Sequence, residues 1–302
     1  MRFNTRVDQA EGLRRLLVRN HMQVVTVVAG KPGVGRTSVT VNLAAAMARF
    51  GKEVLVLDEN HAPNNLLDHL GLYARYDLLD VAQEKCKPQD AVLHTRGFSI
   101  LPTAYAMYGL AQLKQTERQH LENALAEVSK SVDVMLVDTA MLGQTQVSSS
   151  FASGVALLVV MDATISGITE SYALIKRMAL ENACLQFEIV VNKVHDEQAA
   201  MTVFGNMAKV ARRNLAARLE YLGYISQDDK LQRATQLGKS VIEAFPRSTS
   251  AQSYAELSQK LLHLPIQQNE EDGVRAIIKN MMRQVAQPLQ QHSKKVAHDV
   301  NY

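Results

Sequence analysis

What most constrains this chain is a repeated change of hydrophobic period. Short apolar runs rich in β-branched residues recur along it: QVVTVVAG (23–30), EVLVLD (53–58), FSILP (98–102), DVMLVD (133–138), VALLVVM (155–161), FEIVVN (187–192) and LEYLGYI (219–225). Helical patterns separate most of them, near 37–50, 117–130, 168–181, 199–217 and 252–263. Runs that are apolar on both faces suit parallel strands covered by helices on each side. The sequence therefore predicts an α/β fold with a doubly wound, mostly parallel sheet across residues 21–264. Ligands of such sheets bind outside the carboxyl ends of the strands, so the residues that follow these runs are the ones to read for chemistry.

Composition narrows the class. A chain of 302 residues suffices for one large α/β domain with extensions. A net charge of +3 is too mild to point to nucleic acid. Cys86 and Cys184 fit no metal spacing, which favours a reducing compartment. No apolar run approaches the roughly 20 residues that span a bilayer, and the opening MRFNTRVDQAEG lacks the apolar stretch of a signal peptide. The expected location is the cytoplasm, with any membrane contact peripheral, at the inner face of the cell membrane. Two segments flank the core: residues 1–20, with a polar helix over 5–20, and residues 265–302, with a polar linker and a second helix over 274–287.

The stretch AGKPGVGRTS (29–38) follows the first strand and opens a helix. Gly30, Gly35 and Thr37 satisfy the G-x-x-x-x-G-[K]-[ST] pattern, with Arg36 where lysine normally stands. In that context the backbone N–H groups of residues 30–38 (Gly30, Lys31, Gly33, Val34, Gly35, Arg36, Thr37 and Ser38) and the positive helix end would cradle phosphates. Thr37 would offer its hydroxyl to Mg²⁺. Pro32 removes one N–H donor from the loop. Arg36 keeps the charge but replaces a compact ammonium with a planar fork. The alternative reading is a glycine-rich strand-to-helix turn with no ligand.

Lys31, directly after the first glycine, gives the loop a further character. KPGVGRT resembles the deviant Walker loop KGGVGKT of the ParA/MinD class of ATPases. The resemblance implies a P-loop NTPase fold, ATP and Mg²⁺ as cofactors, and a nucleotide-dependent homodimer in which Lys31 reaches the partner's nucleotide. It extends along the chain as an ordered series. LDENHAPNNLLD resembles the class's switch I, with Asp58 at the first aspartate and Asn65 at the later asparagine. Asn60 stands where the water-orienting aspartate is expected, and its amide cannot accept a proton as a carboxylate does. Losing a positioned base costs about 10²–10⁴ in rate, so hydrolysis is expected to be very slow. Asp138 and Thr139 match switch II, with Asp138 holding Mg²⁺ beside Thr37, while Ala140 and Leu142 replace the usual proline and glycine. Asp58, Asn60 and Asp138 are thus the candidate catalytic positions. Asn192 matches the asparagine that reads adenine.

The amino terminus selects a branch. DQAEGLRRL resembles the activation helix of the flagellar number regulators called FlhG, FleN or YlxH, matching at Asp8, Gln9, Ala10, Leu13 and Arg14. In that group the segment stimulates the FlhF-type GTPase that places flagella. GITESYALIKRM (167–178) and LGYISQDDKLQRATQLGKSVIEAFPRSTSA (222–251) resemble further segments of the same branch. The partners so implied are FlhF, basal-body components and the master flagellar transcription activator. In the last helix Val274, Ile277, Ile278, Met281, Met282 and Val285 form one apolar face beside Arg275, Lys279 and Arg283. That face suits either a membrane interface or packing on protein. Two other readings stay open: an interaction protein that has lost its nucleotide, supported by Pro32, Arg36, Asn60 and Ala140, and a DNA-partitioning ATPase using the basic stretch 208–218. The activation helix argues against the second, so specific nucleic-acid binding is not expected.

Overall fold

The computed structural model describes residues 22–265, apart from 61–64, 105–108, 110–111, 141–155 and 182–184. The amino-terminal segment with Asp8–Arg14, Leu142, Cys184 and the helix expected over 274–287 lie outside the described residues.

The strands are β1 Gln23–Ala29, β2 Val54–Asp58, β3 Leu93–His94, β4 Ser99–Pro102, β5 Val134–Asp138, β6 Ala156–Asp162, β7 Gln186–Val194 and β8 Arg218–Ser226. They form one sheet in the order β3-β4-β2-β5-β1-β6-β7-β8. Every pairing is parallel except β3 with β4. The short β3 was not anticipated, because two residues carry no periodicity. The longer helices are α1 Arg36–Arg49, α5 Gln115–Val128, α6 Ile165–Glu181, α7 Glu197–Asn214 and α10 Thr249–Leu262. Between them lie short helices: α2 Leu66–Leu70, α3 Leu78–Ala82, α4 Pro88–Ala91, α8 Asp229–Gln236 and α9 Val241–Ala244.

Burial follows the pleat. On β1, Val25 and Val27 face one side of the sheet, in a cluster shared with α1 and α10, while Val24 and Val28 face the other. There, α3 and α5 cover β2 and β5, and α6 and α7 cover β6 and β7. Helix α1 is buried almost all round, since its small Ala44 and Ala46 admit neighbours closely and Leu43 and Met47 fill the core. Each fully buried Leu or Met contributes about 1.5–3 kcal/mol. The doubly wound reading is thus realised, and the carboxyl ends of β1, β2, β5, β6 and β7 converge on one edge. No helix among the described residues is long and apolar enough to cross a membrane.

Candidate functional site

The loop between β1 and α1 is shaped by two glycines with left-handed backbones, Gly33 (φ 77°) and Gly35 (φ 97°). Gly35 is also the residue before the helix, and it supplies no side-chain cap; nor is there an acid in the first turn of α1. Helices α2, α7, α8 and α10 begin instead with Asn65, Asp196, Asp228 and Ser248, each accepting a backbone N–H of its own first turn. The first N–H groups of α1 thus keep the positive helix end uncompensated, the arrangement an anion completes.

The β6–β7 side braces this loop. Asn192 Nδ2 donates to the Val34 carbonyl at 2.7 Å, and its Oδ1 accepts the Lys193 N–H at 2.9 Å. Lys193 Nζ donates to the Gly33 carbonyl at 2.7 Å. Lys193 sits at φ 61°, a left-handed conformation costly for a side-chain-bearing residue; the two hydrogen bonds it makes offset that cost. A Cβ at Gly35 would lie 2.4 Å from Asn192 Nδ2, and one at Gly30 would lie 2.3 Å from the Glu170 carbonyl carbon of α6. Both positions therefore exclude any larger residue. The Asn192 amide has one further N–H and one further lone pair beyond these bonds.

Lys31 is anchored within its own chain. Its Nζ donates to Thr164 Oγ1 at 2.9 Å and Ser166 Oγ at 2.8 Å, and lies 3.4 Å from Asp162 Oδ2. Burial opposes ionisation of Asp162, but hydrogen bonds from Thr164 and the Lys31 ammonium hold its carboxyl below the usual range.

On the β2–β5 side the charges meet. Asp58 and Asp138 are register partners at the ends of adjacent strands, and Asp138 is fully buried. Arg36 is turned inward onto it, only 7% exposed, with Nε donating to Asp138 Oδ1 at 2.9 Å. Thr37 Oγ1 donates to Asp138 Oδ2 at 2.8 Å, and Thr40 Oγ1 to Oδ1 at 3.2 Å. Burial, then the neighbouring Asp138 carboxylate, pushes the Asp58 pKa up to about 8. Asp58 Oδ1 accepts the Asn60 N–H at 3.0 Å, and its carbonyl accepts both the N–H and the hydroxyl of Thr103.

Of the residues named from the sequence, Arg36 and Thr37 bond to Asp138, Asp58 is its register partner, and Asn60 joins through its backbone N–H on Asp58. It did not foresee the inward turn of Arg36. Asn65 serves as the cap of α2, its Oδ1 accepting the Asp68 N–H. Two residues at the site were missed. Lys193 gives no signal beyond its place after Asn192. Glu59, 2% exposed, accepts the Ala140 N–H at 3.3 Å, while its own N–H donates to the Asp138 carbonyl; it ties the two switch segments together, and it is hidden in sequence between two polar neighbours.

Among the described residues no group of three or more His, Cys, Asp and Glu could hold a metal ion. A Mg²⁺ site would have to rest on Thr37 and Asp138. The residue types fit, and the Thr37 hydroxyl keeps its lone pairs for a cation. The arrangement does not, because Asp138 already has a cation in Arg36.

Comparison with known proteins identifies the family. Residues 25–241 match the CobQ/CobB/MinD/ParA nucleotide binding domain. Antiactivator FleN of Pseudomonas aeruginosa is 33% identical over 267 residues, covering 88% of this chain and 95% of that protein. The flagellum site-determining protein YlxH of Helicobacter pylori is 24% identical, covering 88% and 91%. Among solved structures, the septum site-determining protein MinD of Pyrococcus horikoshii, complexed with Mg-ADP, superposes with a TM-score of 0.58 at 21% identity, covering 80% of this chain and 96% of that one. The chain belongs to the CobQ/CobB/MinD/ParA nucleotide-binding family and, within it, to the FlhG/FleN/YlxH group.

Proposed function

We propose that this protein binds ATP on the loop of residues 30–37 and regulates flagellar number or placement through nucleotide-dependent self-association and partner binding, with hydrolysis very slow or lost. The observation that carries the reading is a loop held in shape by Asn192 and Lys193 in front of an uncapped helix end. The names of the relatives, an antiactivator FleN and a flagellum site-determining YlxH, supply the flagellar context. The Mg-ADP complex of the Pyrococcus horikoshii MinD supports a nucleotide accompanied by Mg²⁺.

The weak-hydrolysis part follows from the candidate bases. Asn60 has no carboxylate. Asp58, with its pKa near 8, is mostly protonated at neutral pH. Asp138 is committed to Arg36, Thr37 and Thr40. A general base must be ionised and free to accept, and none of the three meets both conditions.

Asp8–Arg14 is the proposed contact for an FlhF-type GTPase, and residues 274–287 the proposed membrane or protein contact. Light scattering of the full chain with ATP, ADP and no nucleotide tests the core of the reading. A dimer with ATP alone, lost in Thr37→Ala, is expected. An unchanged mass in all conditions, with no binding heat at millimolar nucleotide, would favour the nucleotide-independent interaction protein. Deleting residues 1–20 is expected to abolish stimulation of a cognate FlhF GTPase while leaving ATP binding intact; equal stimulation would remove that segment from the account.

A further inference from the structure

The Arg36–Asp138 pair is unusual for where it sits. In a phosphate loop the side chain at this position is the loop's own cation for the phosphates, and the aspartate after the strand is the carboxylate that steadies a divalent ion. Here the two are joined at 2.9 Å between groups that are 7% and 0% exposed. At such burial a charge needs a partner, because leaving either one alone costs several kcal/mol of desolvation. A divalent ion approaching Asp138 would have to evict Arg36, and Thr40 on the same oxygen reinforces the occupied arrangement.

The guanidinium also has capacity to spare. It carries five N–H donors in a planar fork, and the bond to Asp138 uses Nε alone. The guanidinium makes no other hydrogen bond among the described residues, while the Arg36 carbonyl accepts the Thr40 hydroxyl at 3.2 Å. A lysine ammonium gathers its three donors at one point, so the acceptors it serves must cluster there, as Thr164, Ser166 and Asp162 do around Lys31. An arginine can hold Asp138 with one edge and offer the other edge to a phosphate oxygen.

We propose that Arg36 is a built-in cation at Asp138 that takes over the role of the divalent metal there, so that this protein binds nucleotide phosphates without needing Mg²⁺. The proposal rests on the nucleotide reading given above. Mg²⁺ that arrives with ATP is then carried by the phosphates and is not required by Asp138. Pro32 fits the same picture, since a loop with one N–H fewer has more need of a fixed cation.

The test measures the affinity of the full chain for ATP by calorimetry, in excess Mg²⁺ and in excess EDTA, for the parent and for Arg36→Lys. The melting temperature of each protein without nucleotide checks that the variant is folded. The parent Kd is expected to change by less than about threefold when metal is removed, and that of Arg36→Lys to weaken by about tenfold or more. A parent as metal-dependent as the variant overturns this proposal and leaves the nucleotide reading standing. Metal independence in both proteins also overturns it, because Arg36 would then not be the cause. Absence of binding under either condition overturns this proposal and the nucleotide reading together. The comparison of parent Kd values needs no variant, so a poorly folding Arg36→Lys does not rescue the claim.

Discussion

The two flanks of the phosphate loop are built on different principles. On the β6–β7 side, Asn192 and Lys193 reach the backbone carbonyls of Val34 and Gly33, and Lys31 lies on the hydroxyls of Thr164 and Ser166 beside the Asp162 carboxylate. These contacts fix the loop's shape and leave its N–H groups to a ligand. On the β2–β5 side, buried charges hold one another, with Arg36 on Asp138 and Asp58 beside them. The first flank is a brace that asks nothing of the ligand. The second has already satisfied the charges that chemistry would use. On the proposed function, a family fold keeps its binding loop while its catalytic side closes on itself.

The sharpest way to break this contrast is Asp138→Asn. It leaves the Arg36 guanidinium buried without its carboxylate, and a loss of about 3–5 kcal/mol is expected by chemical denaturation. A loss below about 1 kcal/mol would mean that Arg36 turns out to solvent easily and that the closed flank is an illusion. Asn192→Ala comes next. It removes the donor to Val34 and the acceptor of Lys193 N–H, for an expected loss of about 1–3 kcal/mol, together with weaker ATP binding. Intact affinity in that variant would show that the loop does not need its brace.

The third difference is in pH dependence. Asp58 titrates near 3.8 when unfolded and near 8 when folded. Between those values the folded state holds a proton that unfolding releases, so its contribution to stability falls as pH rises through the interval. His69, kept below 6.5 by burial, gives the opposite slope only below that pH. Asp162 and Asp228, held low by hydrogen bonds despite burial, act below 3.8. From pH 6.5 to 8 the melting temperature of the parent should therefore fall more steeply than that of Asp58→Asn. Parallel curves would place Asp58 in its ionised form. The smallest effect belongs to Asp162→Asn. Its partner Lys31 is partly exposed and keeps Thr164 and Ser166, so the change should be about 0–1 kcal/mol.

The architecture was legible because its signal is repeated. Apolar runs such as 133–138 and 187–192 are buried on both faces and cannot be placed elsewhere, and β5 and β7 follow them closely. Short helices such as α3 and α9 were not legible, since four or five residues span little more than a turn and their caps, Asp77 and Ser240, also read as ordinary loop residues. At the site, residue type and order located Gly30, Gly35, Thr37, Asp58 and Asp138. What could not be read was direction. The exchange of lysine for arginine signalled a changed phosphate contact, yet whether the fork would face the ligand or Asp138 depends on the strand register that sets Asp58 against Asp138. Lys193 escaped for a similar reason, since its reach to Gly33 follows from a left-handed backbone that no neighbouring glycine announces.

On the proposed function, one flank binds while the other does not turn over. This is tested most directly by incubating the protein with γ-labelled ATP, separating free nucleotide, and following what stays bound. The retained nucleotide is expected to remain ATP, with Asn60→Asp raising its conversion by up to about 10²–10⁴ if the base is the missing element. Bound ATP converted to ADP in the parent, with the label released as phosphate, as rapidly as in an Asn60→Asp protein with a working base would contradict that reading, because the closed flank would then be catalytically competent as it stands.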